Sequence, residues 1–230
     1  MLDAGIASRA WVVIAACNEA ASIAAIVQDV SSYGYQTVVI DDGSADCTSG
    51  VALAAGAITL RHAVNLGQGA ALQTGIEYAL SRGAETVVTF DADGQHRASD
   101  IAPLLAALRR EGVEFALGSR FLGNVLRLPT SRRILLRAAT LFTRVTTGLR
   151  LTDSHNGLRA MSRQGAAHIA LRQNRMAHAS EILSQIATSG LGYVEVPVTI
   201  EYSDYSLGKG QRLSDSLMIL LDLFAGKLYR

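Results

Sequence analysis

The amino-acid sequence predicts an α/β protein, built on one mostly parallel β-sheet with helices on both faces. Up to about residue 120, short apolar runs rich in β-branched residues alternate with segments of helical periodicity. These runs are apolar throughout rather than alternating in polarity, which is typical of strands covered on both faces. Polar residues cluster directly after the runs, where parallel strands of such sheets place their ligands.

The first half of the chain contains five predicted strands and four predicted helices. The apolar runs place strands at 11–16, 37–40, 57–61, 86–90 and 114–117. Helical spacing of apolar residues, as in Ile23, Ile26 and Val30, places helices at 19–30, 45–55, 67–80 and 99–110. This order is a run of βα units, and it predicts a parallel sheet.

The second half is less regular. A helix is predicted at 132–146, with one apolar face that includes Ile134, Leu141 and Val145. A polar loop at 153–159 and a helix at 179–189 follow, and then a strand at 193–200 in which Pro197 indicates a sheet edge or a bulge. The segment 213–228 has the spacing of an amphipathic helix, and no repeat or linker divides the chain, so a single domain is expected.

Composition excludes several classes of protein. With 49% hydrophobic residues and three prolines the chain is not disordered, and a net charge of +1 gives no support to nucleic-acid binding. No run of 18 apolar residues predicts a membrane-spanning helix, and the N-terminus lacks the pattern of a signal peptide. A cytoplasmic protein is therefore expected.

The positive charge is unevenly distributed. Residues 115–152 contain seven arginines and no Asp, Glu or Lys. A solvated helix face and an anionic membrane surface are about equally good explanations, because the arginines have apolar neighbours such as Ile134 and Leu135. A nucleic-acid patch is a weaker explanation, since no aromatic residues alternate with the arginines.

Two acidic turns follow buried strands. Asp91 and Asp93 flank Ala92, so both carboxylates can face one side and suit a hard divalent cation; capping of the next helix is the alternative. Asp41 and Asp42 could accept hydrogen bonds from ribose hydroxyls or a base N–H, although a simple turn would also use these residue types.

These motifs together resemble the family-two glycosyltransferases with the GT-A fold. The similarity is greatest to the branch that contains dolichyl-phosphate mannose synthase and the bacterial polyprenyl-phosphate sugar transferases. It covers about residues 10 to 212, with every motif in order. The matching segments are IAACNEAASI, VVIDDGSADCT, NLGQGAALQTGI, VVTFDADGQH, GSRFLG, DSHNGLRAMSR and EVPVTI.

The resemblance implies a donor site for a nucleotide sugar, linked to UDP, GDP or dTDP, together with Mg²⁺ or Mn²⁺. The metal would bind Asp91 and Asp93, with Gln95 beside them, and Arg120 would lie near the phosphates. Ala15 and Cys17 stand where the family commonly has Pro and Tyr, and Gln68 stands where it often has Lys, which leaves base stacking and one phosphate contact open. The remaining donor residues implied by the resemblance are Asn18, Glu19, Asp41, Asp42, Gly67, Gly69 and Ala92.

The resemblance also implies an acceptor side. Asp153, in a D-x-x-x-G-x-R segment, is the first candidate for a catalytic residue there, and Glu181 is the second, with a first-turn acid favoured by the helix dipole as the alternative. Arg132 or Arg133 matches a family arginine that binds lipid phosphate. Lys209 matches a basic residue that could close over the diphosphate.

The predicted function is metal-dependent, inverting transfer of a sugar from a nucleotide sugar to a polyprenyl phosphate. The main alternative acceptor is a sugar hydroxyl on a growing, possibly lipid-linked, glycan. More distant alternatives are a phosphotransferase of the haloacid-dehalogenase type and a non-catalytic membrane-binding module.

The predicted function also implies a division of the chain into regions and a set of partners. The single domain, 1–230, is divided into a nucleotide-sugar and metal half at 10–120, an acceptor half at 121–212 and an amphipathic helix at 213–230. The protein is expected to be peripheral on the inner face of the membrane and to bind no nucleic acid, and a homo-oligomer is left open.

Overall fold

The computed structural model describes residues 9–173 and 177–202. Within them, seven strands form one sheet. The strands are β1 (Ala10–Ala16), β2 (Gln36–Asp41), β3 (Ile58–Arg61), β4 (Thr86–Asp91), β5 (Val113–Leu126), β6 (Arg159–Ser162) and β7 (Gly192–Glu201). The helices are α1 (Ile23–Ser32), α2 (Thr48–Ala54), α3 (Gln68–Ser81), α4 (Ile101–Ala107, after a 3₁₀ turn at Ala98–Asp100), α5 (Thr130–Thr147), α6 (Arg163–Ala167) and α7 (Ala177–Ser189).

The spatial order of the strands is β3-β2-β1-β4-β6-β5-β7. Strands β3, β2, β1 and β4 are parallel to one another, as is the pair β5 and β7, whereas β6 runs antiparallel to both of its neighbours. The predicted α/β class with a mostly parallel sheet is therefore confirmed. The antiparallel strand β6 joins the parallel unit of the first half to the second half.

Side chains of β1 alternate between two hydrophobic cores, one on each face of the sheet. Val12 and Ile14 pack with residues of α1 and α4, whereas Trp11 and Val13 pack with residues of α3 and α7. The uniformly apolar character of the strand follows from this arrangement, because both of its faces are buried.

Strand β7 lies at the edge of the sheet, as Pro197 predicts. Its pairing with β5 shifts register between Ser119 and Asn124, opposite the segment that contains Pro197. Gly123 meets this irregular segment closely, since a Cβ there would lie 2.2 Å from the Val198 carbonyl oxygen. Both the edge and the bulge that Pro197 predicts are thus present.

Three elements differ from the sequence-based prediction. Strand β5 continues to Leu126, well beyond the predicted 114–117, and neither β6 nor α6 was predicted. Local patterns do not reveal β6, because it is short and its partners lie far away in the chain.

Helix α5 forms as predicted, but its apolar face points outward. The side chains of Ala139, Thr140 and Thr143 are buried, whereas Ile134, Leu141 and Val145 are 65%, 61% and 78% exposed. The side that packs on the protein is therefore lined by small and hydroxyl residues, and Ile134, Leu141 and Val145 of the apolar side are mostly exposed.

Two predicted features cannot be placed. Lys209 and the predicted helix at 213–230 lie outside the described residues. Across residues 9–173 and 177–202, the helices are all too short or too polar to cross a bilayer.

Candidate active site

The ends of β1, β2 and β4 meet at one edge of the sheet. After β1, the backbone N–H of Asn18 donates to the Ser44 hydroxyl at 2.9 Å, and the Ala45 N–H donates to Oδ1 of Asn18 at 2.8 Å. The Ser22 hydroxyl lies 2.9 Å from the carbonyl oxygen of Ala92, which follows β4. Asn18 adopts a left-handed backbone with φ 56°, which brings its exposed side chain to this edge.

Glu19 is buried at the same edge. Its backbone N–H donates to the Thr48 hydroxyl at 2.9 Å, and its carboxylate accepts from the Ser22 hydroxyl at 2.8 Å. Glu19 thus ties the end of β1 to the start of α2 and adds negative charge close to the D-x-D turn.

The carboxylate of Asp41 is buried within its own turn. It accepts from the Ser44 N–H at 2.8 Å and from the Ser49 hydroxyl, and the Arg61 guanidinium lies 3.7 Å away. Burial alone would raise the pKa of Asp41, but these hydrogen bonds and the Arg61 charge hold the pKa below its usual value. Contact of Asp41 with a nucleotide stays a prediction.

Asp42 organises the loop before α3. One oxygen accepts from the Leu66 N–H at 2.9 Å and lies 2.8 Å from Nδ1 of His62, and the other accepts from the Gly67 N–H at 2.7 Å. The side chain is buried, so its visible role is to shape the loop that faces the strand ends.

Glycine is required at positions 67 and 69 for two different structural reasons. Gly67 precedes α3 with φ 99°, a backbone conformation that favours glycine. A Cβ on Gly69 would lie 2.2 Å from the Gln173 carbonyl oxygen, so Gly69 makes room for the chain before α7. Approach of either glycine to a nucleotide stays a prediction.

Asp91 and Asp93 have unequal surroundings. Oδ2 of Asp91 lies 3.0 Å from Nε2 of His96, and Oδ1 accepts from the Gln68 amide at 3.2 Å. Asp93 accepts from the backbone N–H and the side-chain amide of Gln95, at 3.0 and 2.7 Å. Asp91 is thus held by Gln68 of α3 and by His96 of the loop after β4, and Asp93 by its own turn.

The pKa values of the two carboxyls differ accordingly. Burial raises the pKa of Asp93 to about 6, and the negative charges of Asp91 and Glu19 add to the rise. Burial would raise the pKa of Asp91 as well, but the hydrogen bond and charge of His96 and the charge of Arg159 keep that pKa below its usual value. Asp93 therefore ionises against a negative neighbour, and a bound cation would relieve that repulsion.

The residues fit a divalent cation that takes only part of its coordination from the protein. The described ranges hold no cluster of three or more His, Cys, Asp or Glu side chains able to bind a metal. Mg²⁺ and Mn²⁺ suit such a site, because they bind through one or two carboxylates and complete their shell with water and phosphate oxygens. Asp91 and Asp93 are the residues that would hold the ion.

Gly157 brings the 153–159 loop against Asp91. A Cβ on Gly157 would lie 2.0 Å from Oδ2 of Asp91, and the Gly157 carbonyl accepts from the Thr89 hydroxyl at 2.6 Å. Arg159, two residues further and buried, interacts electrostatically with both Asp91 and Asp153. The D-x-x-x-G-x-R segment thus lies between the D-x-D turn and the Arg120 region.

Arg120 and Asp153 form a buried ion pair, with side chains that are 6% and 1% exposed. Nε of Arg120 donates to Oδ2 of Asp153 at 2.6 Å, one terminal nitrogen donates to the Tyr202 hydroxyl at 2.7 Å, and the other donates to the His155 carbonyl. The guanidinium is therefore engaged within the protein. Its predicted contact with phosphates stays a prediction.

Two glutamates support the loops of the second half. Glu195 of β7 accepts from the N–H groups of Thr152 and Asp153, at 2.8 and 3.1 Å, and so holds the start of the 153–159 loop. Glu181 of α7 accepts from the N–H groups of Arg172 and Gln173, at 3.1 and 2.9 Å. The carboxylate of Glu181 holds a loop in this structure, and its catalytic role stays a prediction.

Arg132 and Arg133 stand in the first turn of α5. The Arg132 guanidinium lies 5.0 Å from the centroid of the Tyr202 ring, which is a cation–π contact. The hydroxyl of the same tyrosine accepts a hydrogen bond from Arg120. Arg133 is exposed. The structure thus places Arg132 close to the buried ion pair and leaves Arg133 facing outward.

Several residues of the site were not singled out in the sequence. His96 directly follows Gln95, Arg159 ends the D-x-x-x-G-x-R segment, and Glu195 belongs to the E-V-P strand. Membership of a motif was their only signal. His96 contacts Asp91, five residues earlier in the chain, whereas Glu195 contacts Thr152, far away in the chain.

The fold and the D-x-D turn define a class, the GT-A glycosyltransferases. Glucosyl-3-phosphoglycerate synthase of Mycobacterium tuberculosis, crystallised with Mn²⁺, UDP-glucose and phosphoglyceric acid, superposes with a TM-score of 0.71. The two proteins are 21% identical over 96% of this chain and 80% of that chain. The same enzyme crystallised with Mg²⁺ and UDP also gives a TM-score of 0.71. At this identity the likeness establishes the fold.

The chain belongs to glycosyl transferase family 2, which matches residues 11–169. An uncharacterized protein of Methanocaldococcus jannaschii is 35% identical over 95% of this chain and 92% of its own length. A UDP-N-acetylglucosamine–dolichyl-phosphate N-acetylglucosaminyltransferase of Methanococcus voltae is 29% identical over 95% and 96%. A polyprenol monophosphomannose synthase of Mycolicibacterium smegmatis is 30% identical over 87% and 80%. The chain is thus a glycosyltransferase, and the phosphotransferase and non-catalytic alternatives are wrong.

The raised pKa of Asp93 gives a first prediction. In chelator, Asp93→Asn should be more stable than the wild type at pH 7.5, by on the order of 2 kcal/mol, and equally stable near pH 4. The folded-state pKa of about 6 lies above the unfolded value of 3.8, so the wild type loses stability as pH rises through this window. Urea unfolding at both pH values measures the difference.

Glu111→Gln, which changes an exposed carboxylate, is the control for this experiment. A stability difference between Asp93→Asn and the wild type that is the same at pH 4 and pH 7.5 would contradict the assigned pKa.

Gly157 gives a second prediction. Gly157→Ala should displace the Asp91 carboxylate and weaken Mn²⁺ binding at least tenfold, because the new Cβ would overlap Oδ2 of Asp91. Gly50→Ala, where a Cβ meets nothing within 4 Å, should bind Mn²⁺ as the wild type does. Calorimetric Mn²⁺ titration compares the two, and unchanged affinity in Gly157→Ala would contradict the packing described.

Proposed function

We propose that this chain transfers a sugar from a nucleotide-sugar donor to a polyprenyl phosphate, with inversion at the anomeric carbon, on the cytoplasmic face of a membrane. The donor half is 10–120, with Asp91 and Asp93 holding Mg²⁺ or Mn²⁺, and the acceptor half is 121–212 of the same domain. Relatives whose names specify dolichyl phosphate, polyprenol monophosphate and undecaprenyl phosphate support this choice of acceptor.

One observation favours a phosphate acceptor over a sugar hydroxyl: the candidate carboxylate bases are already engaged. Asp153 is buried in its pair with Arg120, and Glu181 accepts from backbone N–H groups. A hydroxyl acceptor needs a base to remove its proton during attack, whereas a phosphate oxygen is already ionised. The arrangement therefore suits a nucleophile that brings its own charge.

In the proposed step, an oxygen of the acceptor phosphate forms a bond to the anomeric carbon. The bond from that carbon to the diphosphate breaks on the opposite face, and the nucleoside diphosphate leaves. A divalent cation, when bound, stabilises the charge that develops on the diphosphate. Asp91 and Asp93 would hold the cation at the end of β4, and Asn18 and Glu19 shape the neighbouring edge of the sheet.

Asp153 and Arg120 act as positioning residues in this proposal. Their ion pair fixes the loop whose Gly157 packs against Asp91, so the acceptor loop keeps a set distance from the metal turn. Arg133, exposed at the start of α5, is available to contact the acceptor phosphate.

Helix α5 supports attachment to the membrane surface. Its exposed side carries Ile134, Leu141 and Val145, and Arg137 and Arg144 are also exposed. An apolar strip with neighbouring arginines inserts into the headgroup region of anionic bilayers. This surface would place the acceptor half next to the lipid that carries the phosphate.

The reaction is tested with radiolabelled UDP-, GDP- and dTDP-sugars, polyprenyl phosphate and Mn²⁺. One donor class should yield a sugar lipid linked through phosphate, and Asp93→Ala should lower kcat/KM by about a hundredfold or more, because charge stabilisation of the leaving group is lost. Glu111→Gln should retain full activity. Label on a lipid-linked glycan hydroxyl would instead establish the alternative acceptor, and full activity in chelator would contradict the metal role.

Membrane attachment is tested by co-sedimentation with vesicles. The wild type should bind vesicles of phosphatidylcholine and phosphatidylglycerol in equal parts and bind pure phosphatidylcholine less. Each of Arg133→Gln, Arg137→Gln and Arg144→Gln should weaken binding about fivefold, from ~1 kcal/mol per arginine. Replacing Ile134, Leu141 and Val145 together with Asn should abolish binding.

Leu53→Asn is the matched control, since Leu53 is 65% exposed on a different helix, α2. Equal loss of binding in Leu53→Asn, or none in the α5 variants, would show that α5 is not the attachment surface.

A further inference from the structure

Asp91 is the carboxylate of the D-x-D turn that contacts several elements of the fold. Its carboxylate contacts His96 on one oxygen and Gln68 on the other, at 3.0 and 3.2 Å, and the Gly157 backbone packs against it. These three neighbours come from the loop after β4, from the start of α3 and from the 153–159 loop. Hence the position of this carboxylate is set by tertiary structure.

His96 is buried where its principal polar contact is with Asp91. Its side chain is 3% exposed, and the ring lies edge-on to Phe90 with centroids 5.5 Å apart. Nδ1 is buried and has no hydrogen-bond partner in the part of the chain that the structure describes. Burying a polar ring with one nitrogen unsatisfied costs stability, so packing alone would favour an apolar residue here.

Gln68 holds the other oxygen without adding charge. It is the first residue of α3, directly after the left-handed Gly67, and its amide donates to Oδ1 of Asp91. A lysine, which family-two glycosyltransferases often have at this position, would place a positive charge beside the D-x-D turn. A glutamine orients the carboxylate and leaves the negative charge of the turn intact.

Asp93 contrasts with Asp91. Its hydrogen bonds come from Gln95, two residues along the same turn. These contacts move with the turn, so nothing from another element fixes this carboxylate among residues 9–173 and 177–202. One carboxylate of the pair is fixed, and the other is adjustable.

We propose that His96 and Gln68 are positioning residues that hold Asp91 as the fixed ligand of the divalent cation, with Asp93 as the adjustable ligand. The inference rests on the proposed metal site and adds two residues to it. Neither residue touches the cation; both act through the orientation of the Asp91 carboxylate, as partners behind metal ligands commonly do.

The test is direct Mn²⁺ binding, measured from the electron paramagnetic resonance signal of free Mn²⁺, with and without UDP. His96→Phe keeps an aromatic ring against Phe90 and removes the hydrogen bond, and Gln68→Met keeps the length and removes the amide. Each should weaken Mn²⁺ binding by about 10- to 100-fold. His168→Phe and Gln164→Met, the same changes at exposed positions, should bind Mn²⁺ as the wild type does.

Rescue separates positioning from a purely structural role. His96→Gln can again donate to Asp91 and should recover part of the lost affinity, although it packs less well than phenylalanine. Thermal melts of each variant monitor folding, and Gln68→Met, at the helix start, keeps the test decisive if His96→Phe does not fold. Wild-type affinity in His96→Phe together with weakened binding in His96→Gln would show that only packing matters, and equal weakening in the two variants would contradict the role given to the hydrogen bond.

Asp93→Ala distinguishes failure of this inference from failure of the proposed function. If Asp93→Ala loses Mn²⁺ while His96→Phe and Gln68→Met bind within twofold of the wild type, the positioning inference is wrong and the metal site stands. If Asp93→Ala binds Mn²⁺ like the wild type, the proposed metal site itself is wrong.

A further variant, Gln68→Lys, separates position from charge. Lysine can still reach Asp91, but its charge should weaken Mn²⁺ binding in the absence of UDP, more at low salt than at high salt. Wild-type affinity at low salt would contradict the role given to the neutral amide.

Discussion

The buried ion pair between Arg120 and Asp153 is the interaction on which the second half of the site depends. Removing two charges from water is costly unless each remaining donor finds an acceptor. Here the Arg120 donors reach Asp153, the Tyr202 hydroxyl and the His155 carbonyl, which lie in the loop before β6 and at the end of β7. One guanidinium thereby joins β5, that loop and β7, and loss of any partner would leave a buried charge unsatisfied.

The loop that contains Asp153 also reaches the D-x-D turn. This loop continues to Gly157, which packs on Asp91, and to Arg159, which enters β6 between β4 and β5. Because β6 is antiparallel to β4, the first residue of β6 and the loop before it lie at the carboxyl end of β4. A strand parallel to β4 would place that loop at the opposite edge of the sheet. The antiparallel insertion therefore lets one segment contact the D-x-D turn and the Arg120 region together.

Local sequence patterns were sufficient for the first half of the fold and insufficient for much of the second. The apolar runs and helical spacing predict β1 to β4 because each of these elements has a local pattern that can be recognised without its partners, and acidic turns mark the ends of β2 and β4. Strand β6, the length of β5 and the contact of Arg159 with Asp91 depend on partners far away in the chain, and the contact of His96 with Asp91, five residues earlier, depends on the path of the loop after β4. Likewise, Asp41 and Asp42 stand out in the sequence as acids, but only the structure shows that the carboxylate of Asp41 is engaged within its own turn and that of Asp42 by the loop before α3.

Helix α5 connects the outward-facing surface to the buried pair. Arg132 stacks on Tyr202, which accepts from Arg120, and the Thr140 hydroxyl lies 3.2 Å from that of Ser154, next to Asp153. The polar face of the helix is thus the one that contacts the 153–159 loop. This contact explains why threonines of the helix are buried and apolar residues exposed. A helix anchored inward through hydroxyl and guanidinium contacts is free to present leucine, isoleucine and valine outward. These contacts join the inner side of the helix to the 153–159 loop, while its apolar side stays exposed.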